Sequence, residues 1–242
     1  MMRVLVFQHI PVEHPGIFRD FLTAGGGAWD AVELDAGEPI PPFDGYDALW
    51  VMGGPMDVWQ EREHPWLAAE KRAIREWVSA GRPFLGVCLG HQLLAAAMGG
   101  RVGPGEAPEV GVMTVELTDA GRADPLFRGL PKTKTCLQWH GAAVLEAPPV
   151  TEVLARSPIC PIQAMRVGAC AYGLQYHVEA TKDTVPEWGC VPEYEAALEA
   201  VQGQGALDRF REETARNLTG LNAVARTLYD NFAGIVAGRR RA

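Results

Sequence analysis

The amino-acid sequence predicts an α/β fold: a single domain with a mostly parallel central sheet flanked by helices, and a smaller antiparallel β extension. Three observations predict it. Short apolar runs alternate with amphipathic helical patterns over residues 3–100. One of those runs, Phe84-Leu85-Gly86-Val87, ends in a Gly-x-Cys-x-Gly turn at 86–90 and passes at once into helix-forming residues. After Gly100 the apolar runs follow one another without helices between them, the pattern of antiparallel strands.

Taken in order, residues 3–8 form a short buried strand and His14 to Ala24 a helix, with Ile17, Phe18, Phe21 and Leu22 on one face. Gly25-Gly26-Gly27 stops it. Ala31 to Leu34 is a weaker strand, and 37–45, with Pro39, Pro41 and Pro42, is a surface loop. Asp47 to Met52 is a buried strand running into Gly53-Gly54-Pro55. Pro65 to Ala80 is an amphipathic helix with Leu67, Ile74, Trp77 and Val78 inward and Glu70, Lys71, Arg72, Arg75 and Glu76 outward. This alternation implies parallel βαβ units, wound right-handed, with helices on both faces. Short strands are expected at 110–117, 134–137, 152–155, 162–166 and 169–176, as an antiparallel extension or a small second sheet. Beyond Thr181 the pattern is helical at 192–201 and 206–236, a C-terminal appendage covering about 182–242. No linker or repeat divides the chain, so 1–242 reads as one domain.

Composition narrows the function. An apolar fraction of 48% and a charged fraction of 21% are those of an ordinary globular protein. Net charge of −8 argues against nucleic acid or anionic membrane as partners. The apolar run at 3–7 is too short for a signal peptide or a membrane span, so a cytoplasmic location is expected. Five cysteines (88, 136, 160, 170 and 190) without a C-x-x-C pair fit a reducing compartment and no structural zinc. No metal and no cofactor is implied. The Arg239-Arg240-Arg241 run reads as a solvated tail.

Cys88 sits at the apex of the turn, flanked by glycines that permit the bend. At a helix N-terminus, unpaired N–H groups favour a thiolate and can stabilise an oxyanion on a substrate carbonyl. The bland alternative is a buried packing cysteine. His177 lies at the end of a predicted strand with Glu179 two residues on. In an extended chain both side chains lean to one side, so the carboxylate can hold the imidazole while its other nitrogen faces a thiol. H-x-E alone is a weak signal, and it gains force only beside the cysteine turn.

On these motifs the chain resembles the class I glutamine amidotransferases, which have a flavodoxin-like fold. Gly86-Val87-Cys88-Leu89-Gly90-His91-Gln92 matches the family's nucleophile motif, Gly53-Gly54-Pro55 its oxyanion loop, and residues 173–179 its His/Glu motif. Glu109-Val110-Gly111 and Trp139-His140-Gly141 are most similar to the GMP synthase-type glutaminase domain, and the likeness covers about 45–180. The resemblance implies a Cys88-His177-Glu179 triad and an oxyanion hole from the N–H groups of Gly54 and Leu89. It places Gly53, Gln92 and His140 about the glutamine, His140 being equally readable as a hydrogen-bonded core histidine. Val178 departs from the family's usual proline, an exchange expected to alter rigidity rather than catalysis.

Residues 1–242 contain neither a Ser-Gly-Gly nor a Walker-type phosphate loop, so ATP-dependent XMP activation is not expected of them. Three functions follow. One is a glutaminase releasing ammonia from glutamine for a synthetase on another chain. A second is a stand-alone hydrolase of γ-glutamyl amides or peptides. The third is a regulatory module without turnover, which an intact triad disfavours. Residues 182–205, with Trp188, Cys190 and Tyr194, read as a lid or specificity loop, or as ordinary helical packing.

Overall fold

The structure, a computed structural model, describes residues 1–239. Arg240 and Arg241 of the basic run therefore lie outside the described residues. The strands among those residues are β1 (Arg3–Gln8), β2 (Ala28–Glu33), β3 (Ala48–Val51), β4 (Phe84–Val87), β5 (Arg101–Leu117), β6 (Thr133–Glu146), β7 (Thr151–Arg156), β8 (Ala164–Val167) and β9 (Ala171–Leu174). They form one sheet in the order β2-β1-β3-β4-β9-β8-β7-β5-β6. The first five in that order are parallel and the rest antiparallel, so the β extension continues the main sheet rather than building a second one.

Both faces are covered, which is why the parallel strands read as unbroken apolar runs. Val4 and Val6 of β1 face a core shared with α1 (Ile17–Ala24) and α7 (Ala206–Arg239). Leu5 and Phe7 face the opposite core, with α2 (Trp66–Ser79) and α3 (Leu89–Ala97). The period-2 alternation of a strand puts neighbours on opposite faces. All four of these β1 side chains are fully buried, each stabilising the fold by about 1.5–3 kcal/mol. Helix α4 (Asp119–Ala123) and the short helices α5 (Thr184–Trp188) and α6 (Pro192–Gln202) complete the set used below. No helix among the described residues is long and apolar enough to cross a membrane.

Several boundaries differ from the sequence expectation, β6 running Thr133–Glu146 where 134–137 is expected and β2 starting at Ala28 rather than Ala31; two others have a clear physical reason. The first helix begins at Ile17, not His14, because Gly16 adopts φ 50° and the Ile17 N–H donates to the Glu179 carbonyl at 2.8 Å. A β-carbon at Gly16 would lie 1.9 Å from that oxygen, so only glycine allows the approach. Strand β5 begins at Arg101, not Val110, although Gly103, Pro104, Gly105 and Pro108 all suggest a loop. Its pairing with β6 shifts register between Pro104 and Glu109, and β7 meets β5 only at Glu116 and Leu117. Prolines are tolerated there because one edge carries no ladder.

Strand β4 lies between β3 and β9 in parallel register, with Gly86 opposite both Val51 and Gly173. The ends of three neighbouring strands thus deliver Gly53-Gly54, Cys88 and the 175–179 segment to one place. Carboxyl ends of parallel strands are where open α/β sheets bind ligands.

Candidate active site

Cys88 has φ 53° and ψ −107°, a conformation L-residues rarely adopt, and is 7% exposed. The turn is held from three sides: Cys88 N–H donates to Leu174 O at 2.8 Å, Gly90 N–H to Met52 O at 3.1 Å, and His91 N–H to Cys88 O at 3.0 Å. A β-carbon on Gly90 would come within 2.0 Å of Val51 O, and one on Gly86 within 2.4 Å of Gly90 O. Those two glycines are what lets strand and helix meet so sharply.

His177 is fixed by a backbone bridge, exchanging two 2.9 Å hydrogen bonds with Leu137 of β6. Its Nδ1 lies 2.6 Å from Glu179 Oε1, and Glu179 Oε2 accepts from Val178 N–H at 2.9 Å. Burial depresses the charged form of His177, but Glu179 and then Cys88 outweigh it and hold the imidazole well above its usual range. Thiol and imidazole are therefore close enough to interact, and Gln175 Nε2 stands 3.8 Å from Cys88 Sγ.

A cavity of about 230 Å³ opens on Cys88, bordered by Gly54, Leu89, Gln92, Trp139, His140 and Tyr194. Of the residues the sequence placed near the substrate, Gln92 spends its amide on Ala142 O and on Gln175 Oε1, both at 3.1 Å. His140 meets both expectations at once. It borders the cavity, yet its Nδ1–H donates to Ala142 O at 2.9 Å and its Nε2 lies 3.3 Å from Glu109 Oε2. Gly53 points its carbonyl to His9 Nδ1 at 2.7 Å rather than into the cavity.

One further residue at this place, Glu13, carries no sequence signal. Glu13, 3% exposed, accepts a 2.6 Å hydrogen bond from the Tyr194 hydroxyl. Burial raises its carboxyl above the ordinary range against the pull of His177 and Tyr194. Trp188 of α5 and Tyr194 of α6 pack with Trp139 and Phe210 into a third apolar cluster. Segment 182–205 is thus both helical packing and the roof of the site.

The chain has relatives. Residues 29–186 match the family model described as glutamine amidotransferase class-I, and the chain belongs to that family. Its members are amidohydrolases with a cysteine nucleophile, and this chain is one of these enzymes. It is 32% identical over 228 residues to the glutamine amidotransferase-like protein YfeJ of Salmonella typhimurium, covering 91% of this chain and 93% of that one. To the glutamine-hydrolyzing GMP synthase subunit of Pyrococcus abyssi it is 44% identical over 98 residues, covering 40% of this chain and 50% of that one. Among solved structures, a glutamine amidotransferase from Thermotoga maritima superposes with a TM-score of 0.86 at 28% identity, covering 96% of this chain and 97% of the other.

Proposed function

We propose that the chain hydrolyses the γ-carboxamide of glutamine through a Cys88-His177-Glu179 triad and a γ-glutamyl thioester, releasing ammonia. The observation that carries this reading is the meeting of a strained cysteine turn with a histidine whose Nδ1 is already held by Glu179. Cys88 Sγ attacks the carboxamide carbon, its proton held on His177 Nε2. The carbonyl oxygen becomes an oxyanion, stabilised by the N–H groups of Gly54 and Leu89. Collapse breaks the C–N bond, His177 returns the proton to the leaving nitrogen, and ammonia departs. Water, deprotonated by His177, then cleaves the thioester to glutamate and restores the thiol. Glu179 holds the ring through both half-reactions. Gln92, on the pocket wall, orients Gln175, and His140 forms a further part of that wall. The whole chain acts as one unit, its C-terminal helices roofing the site.

Free ammonia is protonated near neutral pH and so lost as a nucleophile. We therefore read the partner as an ammonia-consuming synthetase on another chain, a reading supported by the relatives named as GMP synthase subunits. Turnover of free glutamine and of a panel of γ-glutamyl dipeptides by the pure protein tests this. Ammonia release from glutamine, alone or on adding a synthetase-containing extract, is the expected result. Rapid dipeptide cleavage without glutaminase activity would instead assign a γ-glutamyl hydrolase.

A further inference from the structure

Behind the Gly53–Gly54 peptide lies a buried pair to which the reaction above gives no role. His9, one residue past β1, and Glu70, on α2, are both 0% exposed, Glu70 being buried where the helix pattern put it outward. His9 Nε2 lies 2.9 Å from Glu70 Oε1, and its Nδ1 lies 2.7 Å from the Gly53 carbonyl oxygen. A carbonyl oxygen only accepts, so Nδ1 carries a proton. Trp66 stacks on the ring, with centroids 5.4 Å apart and planes at 14°, which fixes its plane. A β-carbon on Gly54 would come within 3.0 Å of His9 Cβ, so glycine backbone and histidine are in close contact.

We propose that His9, held by Glu70, is a positioning residue that aims the Gly54 N–H at the oxyanion forming on Cys88. The proposal rests on the reading of Cys88 as nucleophile. A trans peptide is planar, so the Gly53 C=O and the Gly54 N–H point in opposite directions. Anchoring the oxygen on His9 turns the N–H away from His9, and Gly54 borders the Cys88 cavity. Two consecutive glycines leave this peptide free to rotate unless something outside it holds it. His9 supplies that hold, and although burial alone would lower its pKa, the neighbouring Glu70 carboxylate raises it above the ordinary imidazole value. A hydrogen bond accepted by the carbonyl also polarises the amide, so that its N–H becomes a better donor. Buried ion pairs contribute little net stability, so the consequence of this one is orientation.

The test compares two double variants of the full chain. His9→Asn/Glu70→Gln keeps an N–H donor where Nδ1 stood and removes both ionisable groups. His9→Leu/Glu70→Leu fills the space without a donor. Hydrolysis of γ-glutamyl p-nitroanilide passes through an oxyanion, whereas alkylation of Cys88 by iodoacetamide does not. The leucine pair is expected to lose about 10²–10³ in kcat, the loss typical of one oxyanion donor, with KM and alkylation rate nearly unchanged. The Asn/Gln pair is expected to recover most of that loss. Wild-type kcat in the leucine pair, equal loss in both pairs, or alkylation falling in step would each overturn the proposal. If the leucine pair does not fold, ¹⁵N NMR of the wild-type protein decides. A protonated Nδ1 on His9 coupled across a hydrogen bond to the Gly53 carbonyl is expected, and an unprotonated Nδ1 overturns it. Failure of the wild type to hydrolyse any γ-glutamyl amide would overturn the functional reading and this proposal together, whereas an active wild type with an unaffected leucine pair overturns this proposal alone.

Discussion

Trp188 stands edge-on to the His177 imidazole, with ring centroids 4.6 Å apart and planes at 64°. It is 2% exposed and shuts the imidazole off from solvent on that side. Trp188→Ala should lower both kcat and stability, the latter by about 3–5 kcal/mol as for other large core deletions. Trp188→Phe keeps an aromatic edge there and should retain most of both. Urea melts beside γ-glutamyl amide turnover of the two variants check this.

The backbone at Cys88 stores strain, since φ 53° with ψ −107° suits glycine and no L-residue. Cys88→Gly should therefore unfold at a higher temperature than Cys88→Ala, by about 1 kcal/mol of relieved strain net of glycine's greater chain entropy. Both should be inactive. Gly90→Ala should be far worse, because its new methyl would press on Val51 O. Calorimetry of the three variants decides.

Tyr194→Phe removes the hydroxyl that donates to buried Glu13. The folded-state value of Glu13 is raised, so the unfolded chain loses this proton first as pH rises, and the charged carboxylate penalises the fold. The Tyr194 bond reduces that penalty. Where Glu13 is ionised, losing it should cost about 1.5–3 kcal/mol, as for a hydrogen bond to a charged group. The cost should shrink as pH falls through the folded-state value of Glu13. Denaturant melts of variant and wild type across that range measure it.

Lys134 is 3% exposed, lies 4.7 Å from the Phe127 ring centroid, and its Nζ has no hydrogen-bond partner among the described residues. Burial lowers its pKa from 10.5 to about 8. Between those values the unfolded chain binds more protons than the folded one, so this lysine destabilises the fold below about pH 8 and ceases to do so near 10.5. Lys134→Met should stabilise the protein at pH 7, by an amount on the order of 3 kcal/mol, with the gain fading above pH 8. Paired unfolding curves at pH 7 and 10 would reveal an absent or pH-independent gain.

Much of the site was legible because its chemistry forces residue types at fixed spacing. The 86–90 turn needs glycine on both sides, since each lies against backbone that a β-carbon would strike. His177 and Glu179 sit two apart on extended chain, so they lean together. Glu13, His9 and Tyr194 were not legible in this role, because a single residue from a distant segment leaves no periodicity or motif. The start of α1 escapes local reading for a related reason: a tertiary bond to the Glu179 carbonyl, invisible in the local sequence, sets it. In β5 the prolines and glycines of 103–108 mimic a loop, and only pairing with β6 reveals a strand.

Acylation of Cys88 by the γ-glutamyl group is the step on which the proposed function stands. Acid quenching of the protein during turnover of a γ-glutamyl amide, followed by peptide mass spectrometry, measures this directly. A γ-glutamyl adduct confined to the Cys88 peptide, lost in Cys88→Ala and decaying at the rate of turnover, is the predicted result. Turnover that persists in Cys88→Ala, or an adduct on any other cysteine, would contradict it.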